Sequence, residues 1–290
     1  MRPRRAHDRL IANLLLLPLA AWLFCFALVP MAYGVWLSLH NAFIENLSHP
    51  TWSGLANYIY LVNDPAFTRA LAWSLRFALI SVTLQMVVGL ALAQFFNRRM
   101  PAKGLWITLL LIPMVVSAAL LGTMFRLLFS EFVGPIQFLL NPITRGAALL
   151  GPDLVTLTII IADSINSTPF VFINIYAALQ SVSVELLEAA TVDGASGWQR
   201  FWRITMPLIL PITLVTWLMR LLAAFLVFEL VFTLTGGGPG NMTQSATIYI
   251  YRRAFSRSDF GMANAASFTL GLLLLGPSLL IVRRMMRPAR

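Results

Sequence analysis

Apolar residues fall in long runs that recur along the whole chain. Six runs approach or exceed the roughly 20 residues that a helix needs to cross a bilayer. They extend from about Leu10 to Leu39, Leu71 to Phe96, Leu105 to Phe129, Leu154 to Leu179, Leu208 to Leu234 and Ala263 to Val282. The pattern predicts an all-α membrane protein of about six transmembrane helices. The first run is long enough to tilt or to leave one end in the interface, and Pro18 and Pro30 are expected to kink or delimit it.

The intervening segments differ in kind. His40 to Ala70 is polar and aromatic and reads as an ordered external loop. Asn97 to Gly104 is short and basic. Ser130 to Asp153 alternates prolines with apolar stretches, so short interfacial helices are expected there. Gln180 to Pro207 is the most polar long loop, and Gly236 to Met262 begins with a glycine-proline turn.

Composition agrees with lipid as the solvent: 59% of the 290 residues are hydrophobic and 11% are charged, against about 25% charged in soluble domains. The net charge of +10 does not imply nucleic acid, because most charges lie just outside apolar runs. Arg2, Arg4, Arg5, Arg9, Arg98, Arg99, Lys103, Arg200, Arg203, Arg283, Arg284, Arg287 and Arg290 fall on one side of the alternating runs. Arg69, Arg126, Arg145, Arg252, Arg253 and Arg257 fall on the other. The larger set places both termini and the Gln180–Pro207 loop in the cytoplasm. Residues 1–9 then form a cytoplasmic N-terminus and 10–290 one transmembrane domain. The first run continues past a typical signal-peptide core, so no cleavable leader is expected. Cys25, the only cysteine, sits in an apolar run and is expected to be a buried small hydrophobe.

The 180–207 loop carries the most specific pattern. Glu188-Ala189-Ala190 lies in a helix-forming stretch and Asp193-Gly194 offers a stop. After nine intervening residues comes Ile204-Thr205-Met206-Pro207, with Trp198, Phe201 and Trp202 between. A helix-turn-helix with small residues and an acid at its tip reads as a docking element or as a solvated loop with interfacial aromatics. The order E-A-A, D-G, nine residues, I-x-x-P closely resembles the coupling-loop (EAA) signature of importer permeases in the ATP-binding cassette (ABC) superfamily. Met206 stands where leucine is usual, a swap that conserves volume.

Two further stretches narrow the resemblance to sugar-importer permeases. Gly54-Leu55-Ala56-Asn57-Tyr58 resembles the G-L-x-N-Y before their second span. Leu234 to Pro239 resembles the L-T-G-G-G-P after the fifth span of the larger maltose-type class, and Asp259-Phe260-Gly261 is similar to a further stretch there. The resemblance covers nearly the whole chain. It implies the type I ABC importer permease fold and an alternating-access subunit in the bacterial inner membrane. The partners implied are a second permease, two ABC ATPase subunits and an external or periplasmic sugar-binding protein. Glu188, Ala189, Ala190, Asp193, Gly194, Ile204 and Pro207 would couple to the ATPase, and Glu229, Gly236, Gly237, Gly238 and Pro239 would serve binding-protein docking or gating.

Ionisable residues inside a membrane are costly and usually face a cavity or partner. Arg76, Asp163, Arg220 and Glu229 stand out. Asp163, Asn166, Ser167 and Phe170 share one helical face at i, i+3, i+4, i+7. An acid, amide, hydroxyl and ring suit a sugar, whose hydroxyls need directional partners and whose apolar face stacks on an aromatic; interhelical bonding is the alternative. Arg220, Ala224 and Val227 share another face, which by position resembles the family's second sugar-contacting face. Arg220 either binds an anionic group or bridges to Asp163. Arg76 is expected to pair with Glu229 or to snorkel.

No P-loop is possible, since Lys103 is the only lysine and Gly104 follows it. The chain is expected to be non-catalytic and to hold no cofactor, with ATP and Mg on the partner ATPase. His7, His40 and His49 lack ligand spacing, so no metal site is expected. The rival function is an ion-coupled secondary transporter with Asp163 or Glu229 as its proton site.

Overall fold

The computed structural model describes residues 16–98 and 100–285. The 1–9 segment, residues 10–15 of the first run, Arg99, Arg287 and Arg290 lie outside them. In chain order the described elements are α1 (Leu16–Ser38), β1 (His40–Asn41), β2 (Thr51–Trp52), α2 (Ala56–Asn63), α3 (Pro65–Phe96), α4 (Lys103–Val115), α5 (Ala118–Leu128), α6 (Pro135–Thr144), α7 (Val155–Gln180), α8 (Val184–Val192), α9 (Gly197–Phe225), α10 (Glu229–Thr235), α11 (Ala246–Tyr251) and α12 (Phe260–Met285). Helices α1, α3, α7 and α9 are each long and apolar enough to cross a membrane. A fifth crossing results if α4 and α5 count as one, and α12 is apolar over Phe260–Gly276.

Two compact units divide the chain. One comprises the described residues through Asp64 together with Ile250–Leu273; the other comprises Pro65–Tyr249 and the described residues from Leu274.

In the first unit, α1 runs unbroken through Pro18 and Pro30, so neither proline delimits it. A π-helical turn over Phe24–Leu28 lies just ahead of Pro30. Proline lacks an N–H and crowds the carbonyl four residues back, and the wider turn takes up that mismatch. Every side chain from Leu16 to Tyr33 is exposed, Cys25 included. This corrects the expectation that Cys25 is buried: a helix apolar all round needs no protein cover where lipid is the solvent. Contact begins at Gly34, where a Cβ would lie 2.9 Å from Asn264 Oδ1 and 3.4 Å from the Phe268 ring of α12.

Side-chain bonds hold the loop after α1. The Asn57 amide donates to the Ser38 and His40 carbonyls, both at 2.9 Å, and Tyr58 Oη lies 2.7 Å from Ser38 Oγ. Gly54 turns at φ +58°, a conformation glycine adopts without penalty. Asp259 Oδ1 accepts from the Met262 N–H at 3.0 Å and caps the start of α12. The Phe260 and Gly261 N–H groups both donate to the Ala42 carbonyl. A Cβ on Gly261 would run into the His40 carbonyl. Arg253 is buried between Asp64, at 2.7 Å, and Asp259, at 3.8 Å. The G-L-x-N-Y and D-F-G patterns therefore record the clasp that closes this unit.

In the second unit, α3, α7 and α9 form the core. Gly89 of α3 admits α7 so closely that a Cβ would lie 2.6 Å from Val171 Cγ1. Such close approach is how helices associate in lipid, where burial gives no hydrophobic gain. Ala93, Phe96, Phe172, Ile175, Ala178 and Ile209 make a buried cluster across the three helices.

Two runs read as single spans are broken. The third bends by 94° between α4 and α5. Pro113 removes a donor in the last turn of α4, and Val116 and Ser117 are extended, with ψ of 133° and 137°. The fifth breaks over Leu226–Phe228, and the freed Val227 carbonyl accepts from Thr247 Oγ1 at 2.6 Å. Non-helical backbone at membrane depth is tolerated where protein satisfies it or where it lines a cavity. The two short pieces pack together: a Cβ on Gly122 of α5 would meet Thr233 Oγ1 and the Leu230 carbonyl of α10. The 130–153 segment holds one helix, α6, which buries Gln137 and exposes Phe138, Leu139 and Ile143.

Candidate functional site

Asp163, on α7, is 6% exposed and organises a polar network across three helices. Its Oδ2 accepts from Ser81 Oγ at 2.6 Å and Gln85 Nε2 at 2.8 Å, both on α3. Its Oδ1 accepts from Ser167 Oγ at 3.3 Å. Arg220, on α9, places Nη2 3.5 Å from Oδ2, and its Nε donates to Gln85 Oε1 at 3.0 Å. Arg220 thus forms the bridge to Asp163, while its Nη2 has no hydrogen-bond partner among the described residues. Removing one partner of a buried pair strands the other, at a cost of about 3–5 kcal/mol, so neither charge stands alone here.

Ser81 and Gln85 were not singled out from sequence. Their signal is an i, i+4 polar pair inside an otherwise apolar run, the spacing that puts both on one face. Gln85 connects acid and base because its amide donates to one and its carbonyl accepts from the other.

The network borders a cleft of about 310 Å³, whose polar lining is Asp163, Asn166, Ser167, Arg220 and Glu229. Asn166 and Glu229 extend polar side chains into it from α7 and the first turn of α10. Its apolar wall includes Ala118, Ala223, Val227 and Phe228. Val227 thus lies where expected. Ala224 does not: it is buried at 2% exposure, and Ala223, three residues after Arg220 on the same helix, lines the cleft instead. Phe170 lies on α7 outside the cleft lining. Glu229, expected at the docking or gating turn, shares the cleft with Asp163. Arg76 is exposed and makes no ion pair among the described residues.

The glycine-proline turn is ordered. Gly236 and Gly237 have φ of +62° and +87°, and Gly236 closes α10 with its N–H 2.9 Å from the Phe232 carbonyl. Thr243, fully buried, donates to the Gly238 carbonyl at 2.6 Å and lies 3.0 Å from Thr235 Oγ1. Gly238 and Pro239 are half-buried at its tip.

The 180–207 loop has the form of a presented knuckle. Ser183 caps α8 by accepting from the Leu186 N–H at 3.2 Å. Its hydroxyl also donates to Glu185 Oε2 at 2.7 Å, which with a backbone bond holds the Glu185 carboxyl below its usual range. At the far end, the Ala195 N–H reaches the Ala190 carbonyl and the Gly194 N–H the Thr191 carbonyl. Gly194 sits at φ +80°, which completes a Schellman cap. Ser196 and Gln199 then form a reciprocal capping box. The second helix of the expected helix-turn-helix is continuous with the next span as α9, through a π-helical turn at Phe201–Thr205 ahead of Pro207. Glu188, Ala189, Asp193 and Gly194 are exposed, Ala190 is buried, Ile204 half-buried and Pro207 exposed. Trp198 and Trp202 meet edge to face at 5.5 Å and remain 72% and 47% exposed. Exposed tryptophans beside an acid and small residues leave a surface that water does not satisfy.

The family described as "Binding-protein-dependent transport system inner membrane component" matches residues 85–288. The trehalose/maltose transport system permease protein MalF of Thermococcus litoralis is 30% identical over 267 residues, covering 91% of this chain and 90% of that protein. The trehalose transport system permease protein SugA of Mycobacterium tuberculosis is 33% identical over 267 residues, covering 91% of this chain and 84% of its own length. In fold, the chain matches a solved chain of a bacterial ABC transporter involved in the import of the acidic polysaccharide alginate. The TM-score is 0.84, with 23% identity and 100% coverage of both chains. The broken spans, the buried polar network and the presented knuckle thus sit in a multi-pass chain that belongs to the family of inner-membrane components of binding-protein-dependent transport systems.

Proposed function

We propose that this chain is one of two permeases in an ATP-driven, binding-protein-dependent sugar importer. It forms half of the translocation pathway and couples it to an ATPase through Glu188–Pro207. The observation that carries the pathway reading is the polar cleft beside the Asp163–Arg220 bridge, where Asn166 and Glu229 offer a donor–acceptor pair and an acceptor. Sugar hydroxyls need such directional groups.

The substrate favoured is a neutral sugar of the trehalose or maltose kind. Arg220 lies against Asp163 and Gln85, and Glu229 lines the cleft with no ion pair among the described residues. An anionic sugar would meet that carboxylate. Asp163 is held by four neighbours, Ser81, Gln85, Ser167 and Arg220.

The proposed assembly has six spans with both termini in the cytoplasm, two ABC ATPases carrying ATP and Mg, and an external binding protein docked near the Gly236–Pro239 turn. ATPase closure moves the α8 knuckle and opens the cleft outward; hydrolysis resets it. Co-reconstitution with its partner subunits tests this. Labelled trehalose or maltose should accumulate in vesicles only with ATP and binding protein. Accumulation driven by an ion gradient without ATP would overturn the reading.

A further inference from the structure

A second cleft, of about 480 Å³, lies where α3 and α7 end and α4 and α8 begin. Its floor is tied by the Gln180 amide donating to Asn97 Oδ1 at 2.9 Å. Two cations, Arg98 and Lys103, line it, and among the described residues no carboxylate does. Neither cation forms an ion pair with a described acid. The Lys103 ammonium stands 5.0 Å over the centre of the Tyr176 ring, which orients it without neutralising it. The remaining wall is apolar, with Met100 and Leu179 on one side and Val184 and Leu187 of α8 on the other.

A basic floor with an apolar wall fits an amphiphile rather than a soluble anion. The cleft also sits where two apolar spans stop, the depth at which headgroups lie. Basic pockets between spans at that level suit anionic lipid headgroups. We infer that this cleft binds one anionic phospholipid of the adjacent leaflet, its phosphate on Arg98 and Lys103 and its glycerol and acyl stem on the apolar wall.

The site has a consequence for coupling. Leu187 precedes Glu188 on α8, so an occupied cleft braces the knuckle against the end of α3. The lipid would set how firmly the ATPase-facing turn is held, independently of which solute the permease carries.

The test is native mass spectrometry of the purified full-length chain in its complex, with phosphatidylglycerol or phosphatidylcholine supplied as the probe. Wild type should retain one phosphatidylglycerol in preference to phosphatidylcholine, and a photoreactive phosphatidylglycerol should label peptides spanning residues 97–103 or 176–187. Arg98→Gln with Lys103→Gln should weaken retention by about tenfold or more; Arg98→Lys with Lys103→Arg should preserve it and report on folding. Equal retention by the glutamine variant would overturn the inference. So would displacement of the lipid by inorganic phosphate, which would mark a soluble-anion site. Loss of the ATPase subunit from the glutamine variant with phosphatidylglycerol retained would overturn it too, assigning the cleft to protein contact.

Discussion

Arg220 reaches Asp163 from the facing helix at 3.5 Å, and Gln85 bonds to both at 3.0 and 2.8 Å. The contact ties α9 to α7 through α3 and leaves one edge of the pair at the cleft. The pair is thereby both a brace between spans and a wall of the cleft.

The two roles separate in a double-mutant cycle. Asp163→Asn or Arg220→Gln alone should destabilise the purified complex by about 3–5 kcal/mol, since each strands a buried partner. The double variant should recover much of that stability in thermal unfolding. If the pair only braces, uptake should recover along with stability. If it also lines the pathway, uptake should stay low in a complex that folds.

Glu188→Lys reverses the charge on the exposed face of α8 while leaving its caps intact. ATPase should dissociate or run without uptake, and vesicle stability should be unchanged. Wild-type uptake with full ATPase occupancy would remove the coupling role from this face.

Gly194→Ala tests the knuckle's geometry without touching a charge. A side chain at φ +80° costs about 1–2 kcal/mol. The turn should fray, and uptake should fall while membrane insertion persists. Hydrogen exchange over residues 190–200 reads the fraying directly.

Ser183→Ala removes the cap of α8, at a cost of about 1 kcal/mol. It also releases the Glu185 carboxyl toward its ordinary range. A lowered folded value means that the contribution of the pair is present above the unfolded value and disappears as pH falls through the folded one. Wild-type α8 should therefore keep its start to more acidic pH than the variant, followed by carboxyl titration in labelled protein.

The sequence was legible where the solvent dictates structure. Apolar runs located α3 and α7 to within a few residues at their C-terminal ends, and the E-A-A to I-x-x-P order located the knuckle. It was less legible where local backbone decides. The break at Val116 and Ser117 follows a proline two residues from the end of α4, inside a run whose hydropathy never falters. The break at Leu226–Phe228 carries no proline or glycine; its stabilising partner, Thr247, lies twenty residues away. Glu229, which opens the helix after that break, lines the cleft together with Ala223 ahead of it. Asp163, Asn166 and Ser167 were readable from helical spacing, but Gln85 was not, because one amide in an apolar run does not announce what it bonds. Asn57 and Asp259 stood out through family-like patterns, and their role became physical only with the bonds they make to Ser38, His40 and Met262.

The most direct test of the importer reading is a gentle detergent pull-down of the tagged chain from its native membrane, with mass spectrometry of what accompanies it. A second permease and a P-loop ATPase should co-purify in stoichiometric amounts. Recovery of the chain alone or as a homo-oligomer, from membranes in which other complexes survive the same detergent, would contradict the account.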